Sequence, residues 1–331
     1  MTQSPLYPLR FEPIYQYRLW GGRRLEHILS TALPDTGPVG EAWVLSDRDD
    51  FPSVVADGPL KGLSLKDLIN QSPKPLLGRL SGLYSRFPLL LKFLDVSETL
   101  SVQVHPSDQE TDQIPVGEHG KTEAWVVLEP GTEARIYAGL QADTSEQVMR
   151  QAIACGAVAD HLASFDPSVG DAVFIPARTV HSLGDVVVFE VQENSDVTYR
   201  LFDWNHIDSR TGQPRPLQVE QAMECIDFSQ GPIEPVIPLV EATNPALREQ
   251  LFDCEQFVVW RLTSDWSFVV GKENTPRVVV CLEGGGELEY VGEKYTLSKG
   301  DVLLLPAIVG ACIIEPLWTI SVLEISIPEE K

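Results

Sequence analysis

In the run Ser101-Val102-Gln103-Val104-His105-Pro106, Gln103 and His105 stand two residues apart. Successive side chains on a β-strand point to opposite faces, so this spacing puts an amide and an imidazole on one face. Lys121 and Glu123 share that spacing, and the same alternation sets an ammonium beside a carboxylate. Imidazole nitrogen with carboxylate and amide oxygen is a donor mixture suited to a divalent cation. Taken singly, each of these residues is ordinarily a packed or solvated side chain. A site needs a fold that gathers them with donors from elsewhere in the chain.

The 331 residues suggest two domains or one large β-rich unit, and 43% hydrophobic residues allow a sizeable core. The 25 prolines and 24 glycines are scattered between short runs of Val, Ile and Leu, a pattern of many short strands joined by turns. Ala172-Val173-Phe174-Ile175, Val186 to Val191 and Val278 to Leu282 are the clearest strands. Helical patterns cover Leu65 to Ile69, Ser145 to His161, with Asp143 and Thr144 as candidate N-caps, and Val219 to Met223. Asp227 to Asn244 carries three prolines and little periodicity. It reads as a connection, dividing residues 1–226 from 227–331.

The two parts hold a weak internal repeat. Val169-Gly170-Asp171-Ala172-Val173-Phe174-Ile175-Pro176 matches Lys299-Gly300-Asp301-Val302-Leu303-Leu304-Leu305-Pro306. Upstream, Val126-Val127-Leu128-Glu129-Pro130-Gly131 matches Val280-Cys281-Leu282-Glu283-Gly284-Gly285. A strand, a glycine turn, and a Gly-Asp turn leading into a strand therefore occur twice. In this the sequence resembles the cupin superfamily, whose second motif is a glycine, then a proline, then a histidine five residues beyond that proline. The resemblance implies a mainly β fold: a double cupin of two jelly-roll β-barrels with a few helices. It gives the first copy His181 after Pro176, and Glu123 ahead of its strand. The second copy has Ala311 and Arg277 at those places. Residues 1–226 are thus expected to bind metal, and 227–331 to be a degenerate barrel without ligands. With Gln103 and His105, Glu123 and His181 form a set of two nitrogen and two oxygen donors. The set suits zinc, one per chain, with Mn, Fe or Co also open.

Longer words narrow the family. Gly40-Glu41-Ala42-Trp43-Val44-Leu45-Ser46, Phe87 to Asp95 running into Leu100 to Pro106, Gly120-Lys121-Thr122-Glu123-Ala124-Trp125 and Asn194 to Trp204 appear in that order. They resemble the linked motifs of type I mannose-6-phosphate isomerases, in the short bacterial form without an inserted helical domain. The resemblance implies interconversion of mannose 6-phosphate and fructose 6-phosphate. It also implies Gln103, His105, Glu123 and His181 as ligands, and Lys121 and Arg200 in the active site. Ser101 and Lys92 would serve its polar wall or the phosphate site. Aldose–ketose exchange moves a proton between adjacent carbons through an enediol, whose charge a cation and fixed Lys or Arg donors stabilise. A lysine desolvated beside a cation would have a lowered pKa. The chain departs from some family members at Gly120, where they have histidine, and at His206, where they have lysine. His27, His119, His161 and His206 lie outside the cupin pattern and default to surface or structural roles.

The net charge of −23, from 25 basic and 48 acidic side chains, disfavours nucleic acid and anionic lipid as partners. A phosphorylated small molecule then needs local Lys or Arg. Cys155, Cys225, Cys254, Cys281 and Cys312 are dispersed and odd in number, which argues against a disulfide framework or a cysteine zinc site. No apolar run approaches the roughly 20 residues of a membrane span. The start, Met1 to Pro8, lacks the pattern of a signal peptide, so a cytoplasmic protein is expected. Two alternatives stand beside the isomerase: a non-catalytic sugar-phosphate-binding cupin, and another metal-dependent cupin enzyme.

Overall fold

The computed structural model describes residues 6–29, 31–34, 36–110, 112 and 114–329. Of the chain's start, read above for a leader, residues 1–5 lie outside the described residues. The short β-branched runs between turn residues form strands, and the fold is mainly β with few helices. The strands β1 (Ile14–Gln16), β2 (Glu41–Leu45), β3 (Leu89–Val96), β4 (Val102–Val104), β5 (Glu123–Leu140), β6 (Leu162–Phe165), β7 (Ala172–Ile175), β8 (His181–Glu193) and β9 (Tyr199–Phe202) make one antiparallel sheet. Its order is β1-β2-β3-β8-β4-β9, and β5 pairs with β6, β7 and β8.

Ten further strands follow: β10 (Leu239–Ala242), β11 (Leu247–Asp253), β12 (Val258–Ser264), β13 (Phe268–Val270), β14 (Arg277–Glu283), β15 (Gly285–Tyr290), β16 (Glu293–Ser298), β17 (Val302–Leu305), β18 (Cys312–Pro316) and β19 (Ile320–Ser326). They form a six-stranded sheet, β10-β11-β12-β19-β14-β17, and a four-stranded one, β13-β18-β15-β16. The sequence repeat is also a geometric one. Gly170 and Gly300 both have φ of 86°, a conformation that glycine takes without strain. Asp171 and Asp301 each accept the N–H of the serine three residues earlier, both at 2.8 Å. Glu123 lies opposite Ile175, and Arg277 lies opposite Leu305.

Several expectations need correction. Helix α1 (Leu65–Gln71) starts with a capping box between Ser64 and Asp67 and runs past Ile69, and α2 (Pro73–Leu77) follows it unforeseen. Helix α3 (Glu146–Cys155) is capped by Ser145, not by Asp143 or Thr144. It stops at Gly156, which has φ of 73°, so Val158–His161 is a separate 3-10 turn rather than its continuation. Helix α4 (Val219–Cys225) extends the expected segment. Strand β5 runs on through Pro130-Gly131, where a turn was expected, with a register shift against β8. The supposed connection 227–244 contains β10, and its Val236 N–H donates to Ala172 C=O.

Alternation on β3 and β8 directs two sets of side chains to two faces. Leu91, Phe93, Phe189 and Val191 enter the main core, where Phe252, Phe257, Val259, Leu304 and Ile325 from the later part of the chain join them. Lys92, Leu94 and Glu190 point the other way and line a cavity. All five cysteines are unpaired. Among the described residues no helix is long and apolar enough to cross a membrane.

Candidate active site

Two rows of cross-strand neighbours build the site. Trp43, Lys92, Glu190 and Trp125 stand side by side on β2, β3, β8 and β5. His181, Gln103 and Arg200 do the same on β8, β4 and β9. His181 and Glu190 are an odd number of residues apart, so strict alternation would send them to opposite faces. Asp185 between them has φ of 48°, where the β5–β8 ladder shifts register, and this irregularity restores the common face.

His105, Glu123 and His181 converge, with one ligand atom from each lying within 4.8 Å of the others. His105 Nε2 is 3.4 Å from Glu123 Oε2, and His181 Nε2 is 3.2 Å from Glu123 Oε1. Both rings are fixed from behind. His105 Nδ1 donates to Val197 C=O at 2.7 Å, and His181 Nδ1 to Thr179 C=O at 2.9 Å. This fixes the tautomer, so both Nε2 lone pairs face the carboxylate, as in metal-binding histidines. Burial, reinforced by Lys121, holds His105 at a pKa of about 3, and burial also lowers His181, so both rings are neutral. Glu123 stays ionised despite its burial, because the Lys121 ammonium lowers its pKa. Both of its oxygens are buried without a well-formed hydrogen bond. Neutral imidazoles turned toward a buried, ionised carboxylate fit a divalent cation. Gln103 joins them, its Nε2 lying 3.2 Å from His181 Nε2. Rotating the amide would present its oxygen instead.

Beside this cluster lies a cavity of about 420 Å³, lined by Lys92, Gln103, Lys121 and Arg200 among others. Lys121 Nζ is 2.5 Å from Glu123 Oε2 and 3.9 Å from Glu190 Oε1. Burial pulls the Lys121 pKa down, but Glu123 and Glu190 outweigh it, so the net shift is upward. These carboxylates reverse the lowering expected from the sequence. Lys92 lies within 4 Å of Glu41, Glu190 and Asp196, and 5.0 Å from the centre of the Trp43 ring. Arg200 donates from Nε to Ser101 Oγ at 3.2 Å and from Nη1 to Pro216 C=O at 3.0 Å. Among the described residues no carboxylate comes within ion-pair distance of its guanidinium. Burial first, then Arg215, lowers its pKa.

The sequence reading missed Glu190. Burial raises its pKa against the pull of Lys121 and Lys92, and it accepts a hydrogen bond from Trp125 Nε1 at 3.1 Å. The signal was present, as a single acid inside an apolar strand run. Arg18 and Glu41 were also missed as a pair. Arg18 holds Glu41 through two hydrogen bonds, and with Lys92 it overcomes burial to bring Glu41 to a pKa of about 2. His119 is exposed and lies outside the cavity lining, and His206 instead approaches Glu98 and Asp203 at 3.8 Å.

Residues 9–135 match the family described as phosphomannose isomerase type I, catalytic domain. Mannose-6-phosphate isomerase ManA of Bacillus subtilis is 34% identical over 319 residues, covering 92% of this chain and 94% of that protein. Mannose-6-phosphate isomerase of Streptococcus mutans is 33% identical over 301 residues, covering 90% and 92%. The crystal structure of the mannose 6-phosphate isomerase from Bacillus subtilis superposes with a TM-score of 0.88 at 29% identity, over 97% of this chain and 100% of that one.

Proposed function

The chain belongs to the type I phosphomannose isomerase family, and on that premise we propose how it interconverts mannose 6-phosphate and fructose 6-phosphate. It is an aldose–ketose isomerase. The convergence of His105, Glu123 and His181 beside an arginine with no carboxylate partner carries the mechanistic reading. We read the fold as a double cupin: residues 1–226 as the metal-binding barrel and 227–331 as the degenerate one. His105, Glu123, His181 and, after rotation of its amide, Gln103 would hold one zinc ion. When bound, the ion supplies Lewis-acid stabilisation of charge on the sugar oxygens.

The chain's own side chains account for the rest. In the open-chain aldose a base removes the proton at C2. The C–H electrons form the C1–C2 double bond, and charge passes to the C1 oxygen. A proton moves from the C2 oxygen to the C1 oxygen, and one is returned to C1 as the C2 carbonyl forms. Arg200 stabilises the developing negative charge, because its planar fork stays cationic and, among the described residues, no carboxylate lies within ion-pair distance of it. Lys121 takes part in proton transfer as the ammonium that returns a proton, and Glu190 is the buried carboxylate placed to accept one. Ser101 orients Arg200 and reaches Gln103 Oε1 at 3.4 Å. Lys92, ringed by carboxylates, serves the polar wall. We assign the work to the cytoplasm, on a small sugar phosphate.

The test is turnover of mannose 6-phosphate beside glucose 6-phosphate and unphosphorylated mannose. Only the first should react, with loss on chelation and recovery on adding zinc. A zinc-loaded chain that binds mannose 6-phosphate without converting it would be a sensor rather than an isomerase. Preference for glucose 6-phosphate would indicate a different isomerase.

A further inference from the structure

A phosphoryl dianion must find its cations inside the pocket, because the chain as a whole carries −23. Five cationic side chains line the cavity: Arg18, Lys92, Lys121, Arg200 and Arg215. Lys121 is committed to Glu123, Lys92 lies among three carboxylates, and Arg18 is bonded twice to Glu41. Arg200 is tied through Ser101 to Gln103, which holds it at the metal end.

Arg215 is the next cation along this chain of contacts. Asp203 grips it through Nε at 2.8 Å and through Nη2, and among the described residues Nη1 has no hydrogen-bond partner. Its chain neighbour Pro216 accepts the hydrogen bond from Arg200 Nη1. The two guanidinium groups stand close enough that Arg215 adds to burial in lowering the pKa of Arg200, and Asp203 forms its ion pair with Arg215 and not with Arg200. Such a spot is net positive, and a planar fork matches phosphoryl oxygens better than an ammonium does.

We propose that Arg215, oriented by Asp203, holds the phosphoryl group of the substrate, while Arg200 serves the reacting carbons. The proposal rests on the isomerase reading above and divides two like charges between the two ends of one substrate. Binding at the phosphoryl end is equal in ground and transition states, so its loss shows in KM and not in kcat.

Arg215→Gln should raise KM for mannose 6-phosphate, and weaken competitive inhibition by inorganic phosphate, by roughly 10- to 100-fold, with kcat nearly unchanged. Arg215→Lys, which keeps the charge without the fork, should fall between Gln and wild type and covers the case in which the Gln variant does not fold. If Arg215 only braces Asp203, the variants would lose thermal stability and keep wild-type KM and phosphate inhibition; that result in either folded variant overturns the proposal. Calorimetric titration with inorganic phosphate reads the same site without turnover. A wild type that binds phosphate through Arg215 yet fails to isomerise would defeat the functional reading and leave this assignment standing.

Discussion

At the scale of single residues, the contrast between Lys121 and Arg200 carries the proposed mechanism. Both are cations in one cavity, but Lys121 is held by Glu123 while Arg200 is held by a hydroxyl and a carbonyl. Of the two, only Arg200 therefore brings an uncompensated charge to the cavity. A direct hydride shift has little need of it, whereas an enediolate does. Arg200→Lys should accordingly lower kcat, by on the order of tenfold or more, and change KM less. Turnover in heavy water should place deuterium at C1 of fructose 6-phosphate. A wild-type kcat in that variant would remove Arg200 from the role assigned to it, whatever the labelling shows. The residues that meet here were legible in the sequence where local spacing was enough. Gln103 and His105 share a face because they are two apart on an extended segment. Glu190 stands out as an acid inside an apolar run, but its place in the site was not legible, because counting alternate positions from His181 gives the wrong face. Only the positive φ at Asp185 corrects the count, and no residue type at that position announces it.

At the scale of elements, the repeated hairpin explains why the first copy gathers candidate ligands while the second places arginine and alanine at the matching positions. The pairings Trp125–Glu190 and Val279–Glu324 are equivalent, since each lies two residues beyond the Glu123 and Arg277 positions. Glu324 is therefore the counterpart of Glu190. It is spent on arginines: Arg277 Nε lies 3.8 Å away, Arg248 Nη1 lies 2.9 Å away, and Gly271 N–H donates to it at 2.7 Å. Arg277 stands where Glu123 stands in the first copy, and Ala311 supplies no donor. A cation placed there would meet guanidinium groups. Elemental analysis of the purified chain should give about one metal per chain, and His105→Ala should bring it well below one. Two tightly bound equivalents would show that the register assigned to β14 does not decide metal binding. The Gly-Asp turns made this repeat readable, because a glycine at φ of 86° is required in both copies. The end of α3 was less so: the apolar pattern runs on past Gly156, and only the left-handed conformation adopted there stops the helix.

At the scale of the whole molecule, the division at residues 226 and 227 read from the sequence predicts two units, yet the main core crosses it. Phe174 on β7 lies 6.2 Å from Phe252 on β11 and 6.4 Å from Phe257, just before β12. Leu9, near the start of the described chain, exchanges two backbone hydrogen bonds of 2.8 Å with Leu304 on β17. Ala307 N–H donates to Leu76 C=O on α2, and Arg79 N–H to Asn274 C=O. Separating the two parts would expose the edge of β17 and the aromatic face of β11, and would leave the back of the sheet that carries Lys92 and Glu190 unsupported. The later strands therefore back the sheet that carries the candidate site. If so, the two parts lose their structure together. Calorimetry should show one endotherm, with tryptophan fluorescence and far-ultraviolet circular dichroism tracing the same transition. Chains of this length often unfold through intermediates, so two resolved transitions are a realistic contrary outcome. They would mean that the core contacts at Phe174 and Leu9 are too weak to couple the parts. Residues 227–331 should then fold when expressed alone, an outcome excluded if burial of Phe252, Phe257 and Leu304 depends on the earlier strands.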